Sequence, residues 1–283
     1  MQNFIFSVDV EDWFHILDVP SAPPLTEWSR LPSHVEKNFS CLLDLFSEHK
    51  VQVTCFVLGW VGEKFPHLVK EAVARGHEIA SHGYAHRLVY EQSRDEFLED
   101  VRRARLLLED VAGTAVVGYR APGFSTTTET PWFFDALAEA GYEYDSSIFP
   151  APRGHGGIPE GRRDPYRVNG TGILEVPITV ADFLGRGMCF FGGGYLRFFP
   201  YWLISKKVKE VADSGRPVVF YIHPREIDPK HPRLPMSASR TFKCYVNLES
   251  TEAKIRAILQ DFPVTTFQQV IRNYRELANS HVA

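Results

Sequence analysis

At 283 residues with 44% hydrophobic side chains, the chain can bury the core of one large α/β domain or of two small ones. A net charge of -4, with Lys and Arg dispersed rather than gathered in one run, excludes the electrostatic footprint of a nucleic-acid-binding protein. Cys41, Cys55, Cys189 and Cys244 form no C-x-x-C pair and read as small buried hydrophobes, which argues against a disulfide framework and for a reducing compartment.

Met1 to Asp9 carries no basic segment before its first acid, so no signal peptide is expected there. No apolar run approaches the roughly 20 residues of a membrane span, and the expectation is a soluble, cytoplasmic protein of bacterial type. Phe4 to Val10 predicts a strand, and His34 to His49, with Val35, Phe39, Leu42, Leu43 and Phe46 at helical spacing, predicts a helix. Gln52 to Leu58 predicts the next strand, Pro66 to Arg75 a helix opened by proline and stopped by Gly76, and His77 to Ala80 another strand. Ser93 to Ala112 predicts a long helix with a Ser93/Glu96 capping box and a Gly113 stop, leading into the strand Val116 to Tyr119. A helix over Thr130 to Ala140, ended by Gly141, precedes a strand at Tyr142 to Tyr144. Phe149 to Gly172, punctuated by Pro150, Pro152, Gly154, Gly156, Gly157, Pro159 and Gly161, predicts a long irregular loop suited to wall a cleft. Beyond it come a short apolar segment at Ile173 to Pro177, a helix over Tyr201 to Asp213, the strand Val218 to Ile222, and a last helix and strand between Thr251 and Thr266.

Alternating strand and helix predicts parallel strands with helices outside. About seven such units suit a distorted (β/α)7-type barrel in a single domain, although periodicity alone does not separate a barrel from an open sheet. In either case function belongs at the strand C-termini, and the polar residues of interest fall there. Asp9, Glu11 and Asp12 follow the first strand, His82 and His86 the third, Arg120 the fourth, Asp145 the fifth, and His223 the strand Val218 to Ile222. On a helix or tight helical turn, His82 and His86 would share one face. Two imidazoles and a carboxylate can hold one divalent metal with positions left open for water and substrate. With 11 histidines in the chain a pair at this spacing also arises by chance, so a structural reading of the pair stands beside the metal one.

In order along most of the chain, these strings resemble the motifs of the polysaccharide deacetylases with a NodB-type domain, carbohydrate esterase family four. Ser7-Val8-Asp9-Val10-Glu11-Asp12 is similar to the family's Thr-Phe-Asp-Asp-Gly, His82 to His86 to its His-x-x-x-His, Arg120-Ala121-Pro122 to its Arg-x-Pro, and Ile222-His223 to its late hydrophobic-His motif. Asp9-Val10-Glu11-Asp12-Trp13, the run Tyr144 to Pro150, Gly192-Gly193-Gly194-Tyr195 and the run His223 to Pro229 resemble the exosortase-associated, exopolysaccharide-locus subgroup. The resemblance implies one NodB-type domain over 1–283, with about 185–283 as a family-specific extension completing the barrel and cleft.

The implied activity is metal-dependent removal of N-acetyl groups from a sugar of a polysaccharide or glycan precursor, with release of acetate. Zinc is the implied metal, cobalt or nickel being alternatives, and an N-acetylated glycan is the partner. His82, His86 and either Glu11 or Asp12 would be the ligands, because Val10 separates Asp9 from the next acid; Glu11 is preferred for lying two residues on. Asp9 would be the base, Arg120 would hold it ionised, and His223 would protonate the departing amine. Arg120 could instead be a structural ion pair. Asp145 would either orient His223 or cap a loop. Tyr84, Pro122 and Tyr195 are the substrate-contacting candidates, with an oxyanion hole from the backbone N–H after Arg120 or near Tyr84. Trp13, Tyr195, Phe198, Phe199 and Trp202 read as mostly core, although Tyr195 after three glycines sits on a loop able to approach a sugar, and Arg197 reads as a solvated arginine rather than a contact to an anionic sugar group. An allantoinase-like hydrolase of a small amide and an inactive glycan-binding module are the alternatives.

Overall fold

The computed structural model describes residues 3–153 and 156–280, so Gly154 of the Phe149 to Gly172 segment lies outside the described residues. The strands are β1 (Phe4–Val10), β2 (Thr54–Val57), β3 (Glu78–Ser81), β4 (Gly118–Tyr119), β5 (Tyr144–Asp145), β6 (Tyr166–Arg167), β7 (Leu174–Glu175), β8 (Ala181–Phe183), β9 (Arg186–Met188), β10 (Val218–Ile222) and β11 (Val264–Thr265). Nine of them form one sheet in the order β10-β1-β2-β3-β4-β5-β7-β6, with β11 also paired to β1, while β8 and β9 make a separate hairpin. Pairing is parallel throughout the large sheet except between β6 and β7. The result is a single α/β domain whose sheet curls into a half-barrel: β10 and β6 end the order without pairing to each other.

Every residue of β1 is buried, as expected for a strand covered on both faces. Phe4, Phe6, Val8 and Val10 point one way, into the layer that contains Phe39, Leu42, Leu43 and Phe46 of the helix Val35–Glu48. Ile5 points the other way, into the concave interior, where Phe56, Tyr144, Val219 and Tyr221 close around Phe267 of the helix Phe267–Ser280. Ser7 and Asp9 share the parity of Ile5, so the concave face turns from apolar to polar toward the strand C-termini. The site is built at that transition.

The long helices stand where their periodicity and caps predict them. The helix Arg94–Ala112 has the Ser93/Glu96 capping box, and Gly113 and Gly141 take left-handed conformations past the ends of Arg94–Ala112 and Phe133–Ala140. Differences concentrate in short elements. The segment predicted as loop from Phe149 to Gly172 contains β6, and unpredicted elements include the hairpin β8–β9 and the helices Gly59–Lys64, Gly193–Phe198, Ala238–Tyr245 and Phe267–Ser280. Cys41 is exposed, unlike the other three cysteines. Phe198 and Trp202 are also exposed rather than core, whereas Trp13 and Phe199 are buried.

Candidate metal centre and active site

His82 follows β3, but the stretch to His86 is not a helix. It is a loop in which Gly83 (φ 76°) and His86 (φ 52°) adopt left-handed conformations. The loop is clamped from two sides. Gly59 N–H donates to Gly83 O (2.8 Å) and Trp60 N–H to Tyr84 O (3.2 Å), while Tyr84 and Ala85 N–H donate to the Asp100 carboxylate at 2.8 and 3.1 Å. Closing the loop this way brings the two imidazoles to 5.2 Å between ring centroids, an outcome the spacing predicts for a helix and a clamped turn reaches by another route.

Glu11 completes the cluster. One donor atom from each of Glu11, His82 and His86 lies within 4.8 Å of the others, and all three residues are buried. His86 Nε2 lies 2.7 Å from Glu11 Oε2. His82 Nδ1 meets the carbonyl of Arg120 at 2.8 Å, which fixes the ring and leaves Nε2 for the centre. Burial depresses the His82 pKa to about 4, so the ring is neutral and able to act as a ligand. Burial alone would raise the pKa of Glu11, but His86, His223 and Arg225 outweigh it and hold the carboxyl well below the usual range. Two imidazoles and a carboxylate converging on one point form a donor set that fits a divalent metal.

Asp12 stands apart from that group. Its carboxylate accepts from Trp13 N (2.8 Å), Ser33 Oγ (2.6 Å), and the backbone N–H groups of His34 and Val35 at the start of the helix Val35–Glu48. The geometry therefore gathers Glu11 with the histidines and uses Asp12 as a cap.

Arg120 is fully buried with its guanidinium 4.0 Å over the Phe56 ring. Its Nη1 donates to Asp9 Oδ1 at 2.6 Å and to Ser7 Oγ at 2.8 Å, and Nε and Nη2 donate to Ser146. His223 comes from the opposite wall, at the end of β10. Its Nε2 lies 3.5 Å from Glu11 Oε1 and 3.9 Å from Asp9 Oδ2. Burial would lower the pKa of this imidazole, but Glu11 and Glu226 outweigh it and raise the pKa above the usual histidine value.

The group on His223 Nδ1 is Glu226, at 2.5 Å, and not the predicted Asp145. Asp145 bonds Ser147 Oγ and N at 2.6 and 3.0 Å and sits against Glu175, its register partner on β7. Burial raises both acids, Asp145 to about 6. Glu226 in turn pairs with Arg197, which is buried and also donates to the carbonyls of Lys243, Cys244 and Val246, so Arg197 is no solvated arginine. Burial would raise the Glu226 pKa, but Arg197 and His223 take it down to about 2. Glu226 was legible in principle: Pro224 opens a 3-10 turn after His223, and residues three apart on such a turn eclipse.

The backbone N–H groups proposed for an oxyanion hole are engaged elsewhere. Tyr84 and Ala85 N–H are held by Asp100, and Ala121 N–H donates to Ser147 Oγ at 2.7 Å. The Tyr84 side chain turns outward, with its hydroxyl bonded to Glu63 and its ring 3.5 Å under Arg103. Pro122 opens a buried turn, and Tyr195 is 40% exposed on the short helix Gly193–Phe198.

Residues 31–144 match the polysaccharide deacetylase family model, and residues 146–272 match a domain of unknown function, DUF3473. The first of these segments is thus similar to the polysaccharide deacetylases. A peptidoglycan-N-acetylglucosamine deacetylase of Bacillus cereus is 35% identical over 81 residues, 29% of this chain and 30% of the relative. A peptidoglycan deacetylase of Helicobacter pylori is 32% identical over 111 residues, 38% of this chain and 36% of the relative. The chain therefore spans about a third of the length of these curated relatives. Among solved structures, a Mycobacterium smegmatis protein assigned to the polysaccharide deacetylases superposes with a TM-score of 0.65 at 20% identity, covering 98% of this chain and 91% of that one. The PuuE allantoinase superposes with a TM-score of 0.64 at 16% identity, covering 97% and 90%. At these identities the structures establish a common fold.

Proposed function

We propose that this protein is a metal-dependent N-deacetylase acting on an N-acetylated sugar of a glycan or glycan precursor. The observation that carries the reading is the convergence on Glu11: two imidazoles on one side, Asp9 clamped by Arg120, and His223 backed by Glu226 within 4 Å of the same acids. The relatives named as peptidoglycan deacetylases support the substrate class. Glu11, His82 and His86 would hold the ion, with zinc expected from the donor set. Such an ion, when bound, acidifies a water and polarises the acetyl carbonyl.

The chain's own residues supply the rest. Asp9 takes the proton of the attacking water; its Oδ1 is occupied by Arg120, leaving Oδ2 toward the centre. Ser7 fixes the same guanidinium nitrogen, so Asp9 is held in a fixed orientation. His223 donates from Nε2 to the amine nitrogen as the carbon–nitrogen bond breaks, while Glu226 holds Nδ1–H and favours the cation. The products are acetate and a free amino sugar.

The test is acetate release from N-acetylglucosamine oligomers, with and without chelator, beside metal analysis and an allantoin control. Asp9→Asn and His223→Ala should lower kcat by about 10²–10⁴-fold with metal retained, whereas His82→Ala should lose the metal. Acetate release by metal-free protein, indifferent to chelator, would overturn the proposal.

A further inference from the structure

Asp145 on β5 and Glu175 on β7 are register partners, and both are fully buried. Burial penalises each charge, and two like charges side by side repel. Asp145 is well supplied with donors: its Oδ1 accepts from Ser147 Oγ at 2.6 Å and its Oδ2 from Ser147 N–H at 3.0 Å. Glu175 is supplied on one side only. Its Oε1 accepts from Ile148 N–H at 3.0 Å, whereas Oε2 is sealed from solvent and no donor among the described residues reaches it. An ionised carboxylate can only accept, so Oε2 gains a partner by carrying a proton itself, and Asp145 lies within hydrogen-bond reach. Burial and the charge of Asp145 push the Glu175 pKa well up against the N–H groups of Ile148 and Ser147, and the charge of Arg120 does not offset burial at Asp145. The other titratable groups that face the pair among the described residues are tyrosines: Tyr119 across from Asp145 on β4, Tyr144 beside it on β5, and Tyr166 across from Glu175 on β6. Burial raises all three above the usual tyrosine range, so they stay neutral.

The pair is joined to the arginine that clamps Asp9. Ser147 Oγ, held by Asp145, accepts from Ala121 N–H at 2.7 Å, and the neighbouring Ser146 accepts from Arg120 through its carbonyl and its hydroxyl, each at 3.3 Å. Arg120 in turn donates to Asp9. We propose that Glu175 is a neutral carboxylic acid whose Oε2 proton is shared with ionised Asp145, and that the two are positioning residues for Arg120 and, through it, for Asp9. Ionising Glu175 would set two charges side by side across β5 and β7 and disturb the Ser146-Ser147 seat of Arg120. The shared proton stands on the buried geometry alone, and its bearing on Asp9 rests on the deacetylase reading above.

Two measurements on the purified full chain read the proton without turnover. The infrared difference spectrum of the unmodified protein against Glu175→Gln, at about pH 7.5, should show the C=O stretch of a neutral carboxylic acid that the variant lacks. Glu175 keeps its proton in the folded chain and releases it on unfolding, so stability falls as pH rises from the unfolded carboxyl range toward the raised folded pKa. Glutamine does not titrate. In urea titrations the unfolding constant of the unmodified protein relative to Glu175→Gln should therefore rise about tenfold per pH unit between about pH 5.5 and 7.5. Absence of the neutral-acid band, or a ratio that does not change with pH, would overturn the shared proton. Turnover reads the positioning. With N-acetylglucosamine oligomers, Glu175→Met, close to glutamate in volume but without a donor, should lose about tenfold in kcat with KM little changed, and Glu175→Gln, whose amide still donates to Asp145, should recover most of it, thermal melts checking that both fold. A kcat in Glu175→Met equal to that of the unmodified protein would overturn the link to Arg120. If no sugar is deacetylated, the functional reading fails, and the infrared and urea measurements still decide the proton.

Discussion

Two acids follow β1, and their neighbours divide the work between them. Glu11 faces His86 and His223, whereas Asp12 is surrounded by backbone N–H groups and the Ser33 hydroxyl. Spacing favours Glu11, which lies two residues on from Asp9, but the task of Asp12 is not in the spacing, because Ser33, His34 and Val35 reach it only after the chain has folded back over twenty residues. The residues read at strand ends, Asp9, His82, His86, Arg120 and His223, do meet, since Asp9 ends β1, His82, Arg120 and His223 directly follow β3, β4 and β10, the clamped loop returns His86 to the same edge, and parallel strands share one end. Glu226 was the partner overlooked: its signal is the local turn that Pro224 opens, three residues on from His223, rather than any periodic pattern. Its charge favours the His223 cation against burial. That raised pKa keeps the acid form below it and loses the acid form as pH rises through it. Glu226→Gln should therefore move the alkaline limb of the kcat/KM profile to lower pH, with about a tenfold loss at pH 8. A profile that scales down without shifting would make Glu226 merely structural, the role it has through Arg197.

Helices and long strands were legible because each spans several turns or alternations, so burial leaves a period in the sequence. Strands of two or three residues, such as β6, β8 and β9, carry no period, and the helix Gly59–Lys64 is too short to show one. That short helix nevertheless holds the metal loop through Gly59 and Trp60. A Cβ added at Gly59 would come within 2.7 Å of Tyr84 Cδ2 and 3.2 Å of the Ala104 Cα. The Ala104 backbone belongs to a capped helix and cannot yield, so the strain must pass to the Gly83–Tyr84 backbone. Gly59→Ala should cost about 1–3 kcal/mol in stability and weaken metal affinity about tenfold or more, since it shifts both histidines without touching either. Chemical unfolding and a chelator-competition titration measure the two effects; a variant destabilised with unchanged metal affinity would mean the loop is held by Asp100 alone.

Across the whole molecule, the two matched segments meet at residues 144–146, yet the sheet runs through that point from β5 to β7. Asp9 and Glu11 precede both segments, the histidine pair lies in the first, and His223 with Glu226 lies in the second. β1 depends on the second segment as well. It pairs with β10 from Phe4 to Val8 and with β11 at Phe4 and Ile5, whereas β2 meets it only from Ser7 onward. Phe267 fills the concave interior beneath Arg120, whose guanidinium lies 5.6 Å from that ring. A chain cut after Asp145 would keep the histidine pair and Arg120 but strip β10 and β11 from β1 and open the floor under the Asp9–Arg120 pair. Buried, that pair is sustained by its surroundings, and wetting or distorting them removes the reason for its geometry. Such a fragment should show no cooperative thermal transition and should bind zinc at least 100-fold more weakly than the full chain, as read by calorimetry and chelator competition. A fragment that melts cooperatively and holds zinc with the affinity of the full chain would show instead that residues 1–145 fold as a unit and that the remainder only supplies the acid.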